Sequence, residues 1–126
     1  MLIVDTDVLI WYLRGNEKAF KAIENLENFS ISVITYMELV QGMRNKKELN
    51  SLRQALHAWS ATILYITEEI SAKAMFAVEQ HFLSHSMQLA DTLIGSTAVA
   101  HGLPLLTGND KHYKITKEVQ IKKFRP

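Results

Sequence analysis

Short apolar runs recur along this chain at intervals long enough to hold a helix, and that alternation limits the fold more than any other feature. Leu2 to Val4, Ser30 to Ile34, Thr62 to Ile66, Leu105 to Thr107 and Val119 to Phe124 read as strands. Residues at helical spacing fill the intervals. A first helix runs through Leu9, Trp11 and Leu13, and a second carries Phe20, Ile23 and Leu26. Thr35 to Glu38 opens a third, and Leu49, Leu52, Leu56 and Trp59 mark one face of a fourth. Thr67 is placed to cap a helix bearing Ile70, Ala74, Ala77, Val78 and Phe82. Leu89 to Ala100 is a further helix, with Gly102 positioned to end it. Strands alternating with helices predict a parallel sheet with right-handed crossovers. The lysines of the last strand place it at an edge. At 126 residues the chain fits one domain, 1–126.

Several classes of protein are excluded by what the chain lacks. It has no cysteine, which rules out disulfides, thiolate-bound zinc and thiol catalysis. No run reaches the roughly 18 apolar residues of a membrane span. Met1 leads into Leu2-Ile3-Val4 without a basic stretch, so no secretory leader is expected and the cytoplasm is the expected compartment. A net charge of +1 is too mild to mark a nucleic-acid binder by itself.

The distribution of acids says more. The chain opens MLIVDTDVLIWYL, with Asp5 and Asp7 embedded among apolar residues. A carboxylate taken out of water is costly unless something pairs with it. Asp5 stands where the first strand stops, and Asp7 where a helix would want its N-cap. Glu38 lies in the apolar run VITYMELV, and Thr35-x-x-Glu38 also has the spacing of a capping box. Asp91 lies in LADTLIG, a helix apolar nearly all round and hence buried, where an acid needs a partner. Ser86 is available to cap that helix, whose dipole favours an acid in its first turn. Asp110 follows Asn109 in TGNDKH, residues that also make ordinary turns. Each acid alone has such a local explanation. Together they stand at the carboxyl ends of strands or at the start of a helix, where open parallel sheets bind ligands. Carboxylates so close raise one another's pKa values, and a divalent cation relieves the conflict. An all-oxygen donor set selects Mg²⁺ or Mn²⁺ over zinc. His81-x-x-x-His85 has the spacing of a zinc pair but no third ligand beside it, and reads as an exposed helix end.

Four stretches, IVDTDVLI, SVITYMELVQG, LADTLI and GLPLLTGN, in this order along almost the whole chain, resemble the PIN-domain nucleases, in particular the toxins of VapBC-type toxin–antitoxin pairs. The resemblance implies an α/β fold, a PIN-like (Rossmann-like) three-layer α/β/α sandwich around a central parallel sheet. It implies a metal-dependent endoribonuclease that cleaves a structured RNA, tRNA or rRNA, and so inhibits translation. Asp5, Glu38 and Asp91 would hold Mg²⁺ (or Mn²⁺), with Asp110 as a fourth catalytic acid beside Asn109. Thr6 and Thr107 match hydroxyls that order metal-bound water, and Asp7 stands where many relatives have Asn. The implied partners are a cognate VapB-like antitoxin that inserts a side chain among Asp5, Glu38 and Asp91, and operator DNA reached only through that antitoxin. A second copy of the chain is also implied, with the face of Leu49, Leu52 and Leu56 as one candidate surface. RNA would approach over Arg14, Arg44, Lys46, Lys47, Lys111 and Lys114, with Trp11 or Tyr12 available to stack on a base. No membrane is involved.

Hydrolysis by a metal-activated water needs no protein nucleophile. That suits a chain whose Ser and His residues form no triad-like set. The alternative within the same family is a partner in a DNA-bound repressor complex with little nuclease activity; the retained acids argue against it. A receiver domain needs an Asp at the end of its third strand, where this chain has Tyr65-Ile66-Thr67. A flap-type DNA nuclease needs more carboxylates and a longer chain.

Overall fold

Strand β1 (Ile3–Val4) is the middle of the molecule, and its two faces build two separate cores. In the structure, a computed structural model that describes residues 1–83, 88–113 and 118–126, the chain continues from β1 into α1 (Thr6–Leu13), α2 (Glu17–Glu24), β2 (Ser30–Ser32), α3 (Val33–Gln41) and α4 (Lys46–Ala58). Then come β3 (Thr62–Leu64), α5 (Glu68–His81), α6 (Leu89–His101), β4 (Leu105–Thr107), α7 (Asp110–Tyr113) and β5 (Ile121–Lys123). The five strands form one sheet in the order β3-β2-β1-β4-β5, and every pairing is parallel. Successive side chains of a strand point to opposite faces. Leu2 and Val4, flanking β1 and within it, join Ile31 and Leu106 in a core closed by α1, α2 and α4. Ile3 and Leu105 point the other way, into a core with Ile94 and Ala98 of α6. Helix α5 packs outside α6. The result is the parallel sheet that the alternation of strands and helices predicts, within the three-layer sandwich that the resemblance implies.

The topology fixes where a ligand can enter. From β1 the chain winds outward through β2 to β3, then returns to place β4 on the opposite side of β1. The connections therefore diverge between β1 and β4, and in open parallel sheets the crevice at such a switch point is the binding site. Asp5 follows β1 there, and Thr107 ends β4 there.

Several local expectations are met. Thr67 accepts the Ile70 amide and caps α5. Gly102, at φ 63°, ends α6 in the left-handed conformation that a residue without Cβ adopts freely. Strand β5 is at the sheet edge, with Lys122 and Lys123 exposed. Other expectations are corrected. The second strand stops at Ser32, because the Ser32 hydroxyl accepts the Ile34 amide at 3.0 Å and starts α3 at Val33. Val33 and Ile34 are therefore helical, and Thr35 lies inside the first turn, too late to open a capping box with Glu38. Leu52 and Leu56 of α4 are buried in the first core, which removes the proposed dimer face. Phe20 and Phe82 are exposed despite their helical spacing. Ser86, His85 and Lys114 lie outside the described residues. Among the described residues no helix is long and apolar enough to cross a membrane.

Candidate active site

The backbone of β1 delivers Asp5 to the end of the sheet, where it is 3% exposed. Asp5, not Asp7, is the N-cap of α1: its Oδ1 accepts the Thr6 amide at 2.8 Å. Its Oδ2 accepts two hydroxyls, Thr107 Oγ1 at 2.7 Å and Tyr113 Oη at 3.0 Å. All three partners are neutral. Burial, and then the charge of Asp7, push the Asp5 carboxyl from 3.8 up to about 7, against the opposing pull of these bonds. Asp7 turns toward β4 instead of capping. Its Oδ2 accepts the Gly108 amide at 2.8 Å, and burial raises its pKa too.

Helix α6 brings Asp91 to the same place from its first turn. Its Oδ1 lies 3.5 Å from the Tyr113 hydroxyl, so one phenol spans Asp5 and Asp91. Its Oδ2 lies 3.0 Å from His112 Nδ1, a close contact out of line for a hydrogen bond. Burial raises the Asp91 pKa, with His112 working against it. Burial and the carboxylates around it, Asp5 foremost, raise the Tyr113 pKa as well, keeping the phenol protonated as a donor.

Glu38 approaches from α3. The Thr6 hydroxyl donates to its Oε1 at 2.7 Å and stands 2.9 Å from the hydroxyl of Thr35, which can supply the bond in return. Glu38 is an exposed residue at the rim of the crevice, not the inward-facing acid its apolar neighbours suggest. Thus Glu38, Thr6, Asp5, Tyr113 and Asp91 form one chain of contacts across the switch point. Among the described residues no three acids or histidines stand close enough together to enclose an ion. Asp5 and Asp91 converge on one phenolic oxygen, and Glu38 is one hydroxyl removed. The donor chemistry suits a hard cation all the same: the ligating atoms are carboxylate and hydroxyl oxygens.

The other anticipated residues divide. Thr107 joins the centre, and its Oγ1 also accepts the Asn109 amide at 2.9 Å. Asp110 does not turn into it. Its carboxylate pairs with Arg125 at 3.0 Å and lies 4.0 Å from Lys123 Nζ, and Arg125 holds its pKa below the usual range. Lys111 lies beside the centre, lining the same cavity as His112. Arg14, Arg44 and Lys47 line a different cavity, between the ends of α1 and α3 and the start of α4, and Arg44 is already bound by Glu48 at 2.7 Å. Lys46 is the first residue of α4. Trp11 and Tyr12 are half-buried against the first core, with the Tyr12 hydroxyl donating to Glu24.

A family model described as PIN domain matches residues 2–118. The chain belongs to the PIN-domain family. Among its relatives, Ribonuclease VapC1 of Methanocaldococcus jannaschii is 31% identical over 126 residues, covering 96% of this chain and 85% of that protein. Ribonuclease VapC10 of Mycobacterium tuberculosis is also 31% identical, over 95% of this chain and 91% of its own. A toxin–antitoxin complex from Klebsiella pneumoniae contains a chain that superposes with a TM-score of 0.73 at 28% identity, covering 94% of this chain and 95% of that one. VapBC-1 from nontypeable Haemophilus influenzae shares the fold at a TM-score of 0.82 and 18% identity, with 97% and 96% covered. This PIN domain thus sits among VapC ribonucleases.

Three side chains in and beside this PIN domain's site escape a reading of the sequence, His112, Tyr113 and Arg125, and Thr35 enters that reading only as a helix cap. Tyr113 follows Asp5 by 108 positions, and only the pairing of β4 beside β1 brings them together. The one local hint was position. His112 and Tyr113 fall within the first turns after β4, the segment that the sheet topology directs over the crevice.

Proposed function

We propose that the chain, as one PIN domain over residues 1–126, is a divalent-metal-dependent endoribonuclease and the toxin of a VapBC-type pair. The observation that carries the reading is Asp5: a carboxylate buried at the switch point of the sheet, satisfied only by hydroxyls and one amide, with further acids beside it. Asp5, Asp91 and Glu38 would hold Mg²⁺ (or Mn²⁺). A divalent cation bound there lowers the pKa of a coordinated water and neutralises charge on the phosphate under attack. Thr107 and the Thr6 amide fix the Asp5 carboxylate, and the Thr6 hydroxyl fixes Glu38 toward the same crevice. Asp7 anchors the loop after β4 through the Gly108 amide. The substrate class is a structured RNA, tRNA or rRNA. The partner is a cognate antitoxin that sets a cationic side chain among the acids, where charge-assisted pairing is strongest, and through which operator DNA is reached.

The test is cleavage of total tRNA and rRNA by the purified chain with Mn²⁺ or Mg²⁺, against EDTA. Discrete metal-dependent fragments, absent with Asp5→Ala and with Asp91→Ala, are expected. Equal cleavage by wild type and both variants, or cleavage undiminished in EDTA, would overturn the metal-site assignment. Metal without substrate offers a second readout. A ligand that binds only the folded state raises its melting temperature, so millimolar Mn²⁺ should raise that of wild type and not that of Asp91→Asn.

A further inference from the structure

Beside the acid centre, and outside it, lies a cavity of about 400 Å³ lined by Gly108, Asp110, Lys111, His112 and Arg125. That volume is within the range of pockets that hold small ligands, roughly 300–1,000 Å³. It shares two walls with the acid centre. His112 touches Asp91 at 3.0 Å, and the Gly108 amide donates to Asp7 at 2.8 Å.

Arg125 comes from the segment after β5 and is fixed over this cavity with unusual completeness for a surface arginine. Its guanidinium donates to the Phe124 carbonyl at 3.0 Å, to the Gly108 carbonyl at 3.3 Å and to Asp110 at 3.0 Å. A guanidinium carries five N–H donors. Three are spent on these bonds, which leaves two for a ligand. Among the described residues Asp110 is the only acid lining the cavity, against Arg125 and Lys111, and Lys123 adds a third positive charge 4.0 Å from Asp110. The wall is therefore net positive directly beside a centre that is net negative. A planar fork held rigid in advance is the geometry that recognises phosphate, because little side-chain freedom remains to be lost on binding.

The geometry points to this cavity as a phosphate subsite for the RNA, with Arg125 as the residue that binds a backbone phosphate flanking the scissile one and Asp110 as the residue that positions Arg125. This rests on the ribonuclease reading above and adds to it the contact that holds the polymer beside the acids. It also gives Asp110 a task that does not require it to touch a metal.

The experiment uses the full chain and a fluorescein-labelled RNA stem-loop. Affinity is measured by anisotropy in EDTA across a series of NaCl concentrations, and cleavage is then measured with Mn²⁺. Arg125→Ala should weaken binding roughly tenfold, as loss of a hydrogen-bonded charge does. Its dependence of log K on log salt should be shallower by about 0.7, the value of one phosphate contact on a single strand. Arg125→Lys, which keeps the charge and loses the fork, should fall between the two. Lys18→Ala, which removes the same charge from α2, should bind as wild type does. Arg125→Ala with wild-type affinity and salt slope would overturn the subsite while leaving the ribonuclease reading intact. Arg125-dependent binding by a chain that cleaves no RNA would support the subsite and overturn only the ribonuclease reading. A wild type that neither binds nor cleaves would overturn both.

Discussion

Replacing Asp5 by Asn should make the protein more stable and, at the same time, inactive. Asp5 is 3% exposed and its carboxyl is pushed from 3.8 to about 7, chiefly by burial and then by Asp7. A displacement from 3.8 to about 7 corresponds to roughly 4 kcal/mol of cost for carrying the charge in the folded state. Below about pH 4 the group is protonated both folded and unfolded, and there is no cost. Between there and about pH 7 the folded state binds the extra proton, so stability falls as pH rises, and above about pH 7 the cost is complete. At pH 5 it is roughly 2 kcal/mol by the same relation. Asn never pays it, and the site can accommodate the amide. Oδ1 keeps the Thr6 amide, while an Nδ2 in place of Oδ2 can donate to Thr107 and Tyr113, whose hydroxyls turn to accept. Thermal melts of wild type and Asp5→Asn in EDTA should therefore differ by roughly 15 °C in favour of the variant at pH 8. The gap should narrow by more than half at pH 5, and RNA cleavage should be lost at both. An Asp5→Asn protein that melts below wild type at pH 8, or a gap indifferent to pH, would refute the claim that Asp5 is a charge buried at a cost.

Three further substitutions probe the surroundings. A Cβ on Gly108 would stand 2.7 Å from Asp7 Oδ2 and 3.2 Å from the Phe124 carbonyl. Gly108→Ala should therefore cost about 1–3 kcal/mol in urea denaturation, as overpacking does; an unchanged midpoint would mean that this loop gives way freely. Leu52→Ala empties part of the first core and should cost about 2–5 kcal/mol, with the sedimentation coefficient of the folded protein unchanged, because Leu52 is interior and not an interface residue. Tyr113→Phe removes a donor from the charged form of Asp5 and should cost about 1–3 kcal/mol. That loss should be larger at pH 8 than at pH 5, and a loss equal at both would show that the phenol contributes packing alone.

Which parts of this molecule could be read from its sequence follows from the range of the interactions involved. Strands β1 and β4, the caps at Thr67 and Gly102, and the edge position of β5 depend on signals within a few residues, and those were legible. The boundary between β2 and α3 was misplaced because Val33 and Ile34 favour a strand by composition. A single side-chain bond, Ser32 to the Ile34 amide, decides for the helix. The places of Asp5, Glu38 and Asp91, after strands or at a helix start, were legible, and their role at a metal is the proposal above. Thr6 and Thr107 entered through the family resemblance, whereas Tyr113, 108 positions from Asp5, carried no signal there. Asp110 was assigned toward the acid centre because nothing near it in sequence reveals Arg125, which arrives from beyond β5.

The way the acids are satisfied bears on why they are there. A buried carboxylate can be made comfortable by an arginine or a lysine, and Asp110 shows that this fold supplies both when charge is to be cancelled. Around Asp5 and Glu38 it supplies hydroxyls and an amide instead, from Thr6, Thr35, Thr107 and Tyr113. These meet the hydrogen-bonding needs of the oxygens and orient them, but they leave the negative charge in place. A site whose only purpose was to hold the sheet together would gain from neutral residues at the same positions, since a well-packed apolar replacement of buried charge is often neutral or stabilising. Retaining the charge, unneutralised and at the switch point, fits the cation-binding role proposed for these acids. The stability expected of Asp5→Asn measures what the fold gives up to keep that position open.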